Sequence, residues 1–187
     1  AIGAGVRVAG AARIRAAPCA EHALALTLAL YRRLHEALRA QSEHEWAASR
    51  IAPAIRDLDG QTIGLLGVSA IGEEIALRAK AFGCEVIALA DQTDNPYLHV
   101  DRVMDLDERA PFLGRVDVLI AASARPGAQP LTIDRDAFEA MKAGAVVVDV
   151  SRGGVIRESA LAAALQKKEI AGAALDVFEH EPLPSDS

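Results

Sequence analysis

Thr62-Ile-Gly-Leu-Leu-Gly67-Val-Ser-Ala-Ile-Gly72-Glu-Glu-Ile-Ala-Leu-Arg-Ala-Lys-Ala-Phe82 is the stretch that decides the fold of this 187-residue chain. Residues 62–67 form an apolar run that reads as a buried strand. Apolar residues then return at helical spacing, at Ile71, Ile75, Ala76, Ala79 and Phe82. A strand that passes through a glycine turn straight into a helix is the start of a βαβ unit.

The same alternation continues outward from that stretch. Residues 85–90 read as a second strand and 102–104 as a short third, with a short helix over 106–113. Strands are expected at 116–121, 145–150 and 171–175, and helices at 135–142 and 158–166. Alternation at this spacing predicts an α/β fold with a doubly wound parallel sheet of Rossmann type. Composition agrees: 51% of residues are hydrophobic and only 4% aromatic, so Ala, Val, Leu and Ile must build the core. Strands buried on both faces by helices suit that composition.

Toward the amino terminus, residues 6–9 alternate weakly, as a strand would, and residues 18–40 read as one long helix. Pro18 suits its first turn, Glu21 favours the positive end of the dipole, and Arg32, Arg33 and Arg39 favour the negative end. Its middle, residues 23–31, is apolar nearly all round, so more than one face wants cover. One face belongs on the sheet. The other predicts a homodimer through residues 18–40, with burial inside a single chain as the alternative. Residues 41–60 are polar and irregular, with the lone Trp46 and a turn at Asp57-Leu58-Asp59-Gly60.

The formal net charge of −6 comes from interspersed acidic and basic residues. No basic stripe suggests nucleic acid, and Arg32-Arg33 and Lys167-Lys168 read as solvated pairs. Residues 23–31 fall short of the roughly 20 apolar residues that span a bilayer, so no membrane partner is expected. Cys19 and Cys84 give no disulfide framework, which predicts a reducing, cytoplasmic setting. No metal site is expected.

The loop Gly67-Val68-Ser69-Ala70-Ile71-Gly72 stands where a dinucleotide fingerprint would stand. Gly67 allows the tight turn, Gly72 allows the helix to pack closely on the strand, and the helix amino terminus offers amides to a phosphate. Ser69 replaces the middle glycine. Its Cβ crowds the pyrophosphate position, while its hydroxyl offers a donor. Glu73 and Glu74 oppose a bound anion. The alternative is a tight strand-to-helix turn that binds nothing. Asp91, ending the second strand, can accept from a ribose and repel a 2′-phosphate, which favours NAD over NADP. The plainer reading is a solvated strand-end residue.

Three segments carry a family resemblance. Ala145-Val-Val-Val-Asp-Val-Ser-Arg-Gly-Gly-Val155 resembles the strand and Arg-Gly-Gly turn of the D-isomer-specific 2-hydroxyacid dehydrogenases, of the phosphoglycerate dehydrogenase type. Ala171-Gly-Ala-Ala-Leu-Asp-Val-Phe-Glu-His-Glu-Pro-Leu-Pro184 is similar to that family's Leu-Asp-Val-Phe-x-x-Glu-Pro segment, and Ala20-Glu-His-Ala-Leu-Ala-Leu26 to its long interdomain helix. The resemblance implies NAD as cofactor, a small 2-hydroxy or 2-keto acid as substrate, and hydride transfer between substrate C2 and nicotinamide C4. Arg152 would hold the substrate carboxylate and polarise its carbonyl. Asp176 would help to position the nicotinamide, and Ser151 and Ala122 would line its side of the cleft. Glu181 would orient an acid–base histidine and raise its pKa. Taken singly, Arg152 reads as a cap or surface residue, and Asp176 and Glu181 as turn residues.

The chain also departs from the family pattern. The family's histidine lies in a Thr-Pro-His run beyond its Glu-Pro segment, and residues 1–187 contain no such run. His180 adjoins Glu181, and neighbours on an extended segment face opposite ways. His22 reads as a structural helix residue, and His35, His44 and His99 as surface residues. Residues 1–17 are expected to be a stub of a missing substrate domain or interdomain segment, and 18–187 an NAD-binding domain. Ala122-Ser-Ala-Arg-Pro126, Ala70 and Arg15 also differ from the family's usual residues. On this reading the chain binds nucleotide and dimerises but turns over little 2-keto acid. The competing function is a catalytically silent, dinucleotide-sensing dimerisation module of corepressor type, and blander still is a dimer scaffold without ligand.

Overall fold

The computed structural model describes residues 13–91, 97–122, 131–185 and 187. The expected strand at 6–9 lies outside the described residues, as do residues 1–12 of the expected stub and residues 123–126 after the fourth strand.

Six strands make one sheet: β1 (Thr62–Leu66), β2 (Glu85–Leu89), β3 (Arg102–Met104), β4 (Val118–Ala121), β5 (Val146–Asp149) and β6 (Gly172–Leu175). Their order is β3-β2-β1-β4-β5-β6 and every pairing is parallel. The doubly wound sheet predicted from the alternation is therefore present. Its strands read as continuous apolar runs because both faces are covered, and β1, β4 and β5 are buried throughout.

Successive side chains serve opposite faces, as the pleat requires. Ile63, Leu65, Val118, Ile120, Val146 and Val148 join a core beneath α1 (Ala16–Tyr31) and α4 (Ala70–Ala81). Leu66, Leu119, Ala121 and Val147 join a second core with α5 (Arg109–Arg115), α6 (Arg135–Ala140) and α7 (Glu158–Gln166). In β1 the glycine at 64 admits that second layer, since a Cβ there would overlap the side chains of Val116 and Phe112.

The predicted single helix over 18–40 is in fact two. α1 stops at Tyr31, Arg33 takes a left-handed φ of 55°, and α2 (Leu34–Ser42) runs on separately. The periodicity does not break there, but a later segment returns and takes over the helix end. The Arg56 amide donates to the Tyr31 carbonyl at 2.9 Å, and Arg32 Nη1 lies 2.5 Å from Asp57 Oδ1. Residues 41–60, read as irregular, include a short helix, α3 (Ala48–Ile51), and a 3₁₀ turn at Ala52–Ala54. Ala40, Ala47 and Ile51 form a small core of their own.

Candidate functional site

Parallel strands end on the same side, so the segments that follow them gather along one carboxyl edge. Gly67 follows β1, Asp91 follows β2, Ala122 follows β4, Ser151 and Arg152 follow β5, and Asp176 follows β6. The strand order reverses between β1 and β4, which places Gly67 and Ala122 side by side; their preceding residues, Leu66 and Ala121, are register partners. A reversal of this kind opens a crevice in open α/β sheets.

Gly67 makes the turn at φ 75°, a region glycine enters without steric cost, and its amide donates to the Leu89 carbonyl at 2.8 Å. Ser69 is the N-cap of α4. Its Oγ accepts from the Gly72 amide at 3.1 Å and donates to the Ala122 carbonyl at 3.3 Å. The hydroxyl read as a free phosphate donor is thus engaged within the chain, where it ties the glycine loop to the end of β4. The first-turn amides of Ala70 and Ile71 have no carbonyl one turn back to bond and take no backbone partner among the described residues. Gly72 lies against β1, yet a Cβ there would meet Leu65 at an ordinary 3.5 Å. Close packing does not demand glycine at that position. Glu73 and Glu74 are both matched by arginines: Arg13 lies 3.6 Å from Glu73, and Arg78 lies 2.5 Å from Glu74. Their opposition to an anion is correspondingly offset.

On the other half of the edge, Asp149 is 2% exposed. Burial holds its carboxyl above the usual range, against the pull of Ser151 beside it, whose amide donates to Asp149 Oδ1 at 2.9 Å. Ser151 Oγ is buried without a hydrogen-bond partner among the described residues. Gly153 turns at φ 80° with its α-carbon against the Phe178 carbonyl, where no Cβ fits. That contact docks the Arg-Gly-Gly turn onto the segment after β6. Glu158 Oε1 accepts from the Glu179 amide at 2.5 Å and reinforces the docking.

The structure therefore brings the segments carrying Arg152, Asp176 and Glu181 together at the ends of β5 and β6. Their side chains differ in engagement. Arg152 is exposed and forms no ion pair with a described residue. Glu181 Oε1 accepts from the Phe178 amide at 3.0 Å, within its own turn. Asp176 Oδ1 lies 3.1 Å from His22 Nε2 on α1. The sequence alone reads His22 as a structural helix residue, with no signal of its tie to Asp176 beyond the Ala20-Glu-His run. His22 and Asp176 line a hollow of about 280 Å³ with Arg15, Pro18, Cys19 and Val150.

These features fit a dinucleotide on grounds of structure: a positive-φ glycine turn at the strand-order reversal, and the first-turn amides at the mouth of α4. Among the described residues, no group of three or more His, Cys, Asp or Glu is placed to hold a metal, and no helix is long and apolar enough to cross a membrane.

Comparison with known proteins agrees with the geometry. Residues 24–187 match the family model described as D-isomer specific 2-hydroxyacid dehydrogenase, NAD binding domain. The D-3-phosphoglycerate dehydrogenase of Mycobacterium leprae is 35% identical over 182 residues, which cover 95% of this chain and 33% of that protein. The crystal structure of phosphoglycerate dehydrogenase from Lactobacillus plantarum superposes with a TM-score of 0.82 at 30% identity, over 100% of this chain and 59% of that one. An NAD-dependent formate dehydrogenase from Staphylococcus aureus, solved in complex with NAD, gives a TM-score of 0.82 at 26% identity, over 92% of this chain and 51% of that one. The chain spans about a third of the length of the curated phosphoglycerate dehydrogenases it matches.

Proposed function

Because this chain belongs to the D-isomer-specific 2-hydroxyacid dehydrogenase family, as its NAD-binding domain, we propose that it holds NAD along the carboxyl edge for hydride exchange with a small 2-hydroxy or 2-keto acid. The observation that carries this reading is the placement of Gly67 and Ala122 at the reversal of strand order, with Arg152 and Asp176 on the same edge.

NAD, when bound, supplies or accepts the hydride. The chain's own residues bind and orient. Gly67, Ser69, Ala70, Ile71 and Gly72 receive the pyrophosphate at the mouth of α4, where amides and the helix dipole favour an anion. Asp91 accepts from the adenosine ribose. Ala122, Ser151 and Asp176 face the nicotinamide end. Arg152, exposed and without an ion pair among the described residues, offers a planar fork to the substrate carboxylate. Glu181 orients the acid–base histidine of the reaction and favours its protonated form.

The homodimer belongs to this reading too. α1 has no exposed large apolar side chain, but Leu34 and Leu38 on α2 are 48% and 64% exposed, and nearby Trp46 is 92% exposed. In this reading the dimer contact within residues 18–40 involves α2. The free cysteines Cys19 and Cys84 suit a reducing, cytoplasmic setting. The dinucleotide-sensing alternative leaned on Ser69 and the Glu73-Glu74 pair, and all three are engaged within the chain.

Calorimetric titration with NAD, NADH and NADP tests the proposal. NAD and NADH should bind, and NADP should bind at least about tenfold more weakly because Asp91 repels its 2′-phosphate. Absence of any dinucleotide binding would overturn it.

A further inference from the structure

The pair formed by His22 and Asp176 joins two elements that are otherwise fixed. α1 is pinned to the sheet by Ala20, Ala23 and Leu24, which are 0%, 0% and 5% exposed. The backbone of Asp176 is held by its amide, which donates to the Asp149 carbonyl at 2.9 Å. The Asp176 side chain itself is 53% exposed and has no other partner among the described residues, so without the imidazole it would be free to swing. The buried carboxyl of Asp149 lies on the same edge and its charge interacts unfavourably with that of Asp176. His22 Nε2 reaches Oδ1 at 3.1 Å from the α1 side.

We infer that His22 is a positioning residue for the nicotinamide end of the cofactor: it holds Oδ1 of Asp176 and thereby leaves Oδ2 aimed as an acceptor into the cleft. The inference rests on the proposed NAD site and deepens it. His22 lies on α1, outside the glycine loop and the Arg-Gly-Gly turn, and acts only through Asp176.

The test compares NAD with ADP-ribose, which has the same pyrophosphate and adenosine but no nicotinamide. Both are titrated by calorimetry into the wild-type chain, His22→Leu, His22→Gln, Asp176→Asn and the double variant His22→Leu/Asp176→Asn. His22→Leu should weaken NAD about two- to fivefold, the range of a half-exposed polar pair, and leave ADP-ribose unchanged. His22→Gln, which keeps a donor, should recover most of the loss. In the Asp176→Asn background, His22→Leu should have no further effect. Equal weakening of NAD and ADP-ribose would mean that His22 only supports the fold, and unchanged NAD affinity in His22→Leu would mean that the pair is idle. Either result overturns this inference and leaves the NAD site standing. Failure of the wild type to bind either ligand overturns both.

Discussion

The hydroxyl of Ser69 lies 3.3 Å from the carbonyl oxygen of Ala122, so a single side chain closes the gap between the glycine loop and the end of β4. The same oxygen caps α4 by accepting from the Gly72 amide. Ser69 therefore has a structural duty at the place where the pyrophosphate is proposed to lie.

Two substitutions at Ser69 separate these roles. Ser69→Ala removes the cap and should lower stability by about 1 kcal/mol in urea unfolding. Ser69→Asp keeps a capping oxygen but cannot donate to the Ala122 carbonyl, so it should recover only part of that stability. Its negative charge at the helix mouth should weaken NAD by about tenfold or more in calorimetry. If Ser69→Asp binds NAD as tightly as the wild type, the pyrophosphate does not lie there.

Neighbouring glycines in the Arg-Gly-Gly turn should respond unequally. Both have positive φ, so alanine at either costs about 1 kcal/mol in backbone conformation. At Gly154 nothing lies within 4 Å of an added Cβ, whereas at Gly153 the Cβ would run into the Phe178 backbone. Gly153→Ala should therefore be clearly more destabilising than Gly154→Ala, and thermal unfolding of the two variants measures the difference.

Asp149 should make stability depend on pH. Burial raises its pKa in the folded chain above the unfolded value of about 3.9. The ionised form thus opposes folding. That opposition is absent below the unfolded pKa, grows as pH rises, and is complete above the folded pKa. Asp149→Asn keeps an oxygen for the Ser151 amide and should stabilise the chain at pH 7, on the order of 1 kcal/mol. The gain should shrink toward pH 4 in thermal unfolding followed across that range.

Tyr31 offers a second titration. It is 1% exposed, its hydroxyl has no partner among the described residues, and burial pushes its pKa up to about 12 from 10.0. Its neutral form favours folding fully below pH 10.0, and the advantage is lost as pH rises through about 12. Tyr31→Phe removes an unsatisfied hydroxyl and keeps the ring, over which Arg56 sits at 4.3 Å. The variant should be more stable by about 1 kcal/mol in urea and should lose the decline between pH 10 and 12.

The sheet was legible because it depends on short-range pattern: apolar runs for strands buried on both faces, and a glycine turn leading directly into α4. The glycine loop and Asp91 followed from strand ends, whereas Ala122, Ser151, Arg152, Asp176 and Glu181 came from the family resemblance. What escaped the sequence came from groups distant along the chain. Nothing in Tyr31-Arg-Arg-Leu34 ends a helix; the end is imposed by Arg56 and Asp57, which reach Tyr31 and Arg32 from a returning segment. His22 gains its partner only once β6 is laid beside β5. The Ser69 cap did have a local signal, a serine just ahead of a helix.

The break at Arg33 sets α2 and α3 apart from the main sheet, in a cluster built on Ala40, Ala47 and Ile51. Small side chains bury little area, so this annex should come loose well before the six strands do. In deuterium uptake its amides should exchange first, while those of β1 and β4 wait for global unfolding. A dimer that buried Leu34, Leu38 and Trp46 would slow that early exchange in proportion to protein concentration, which gives a readout of self-association from within a single chain's kinetics.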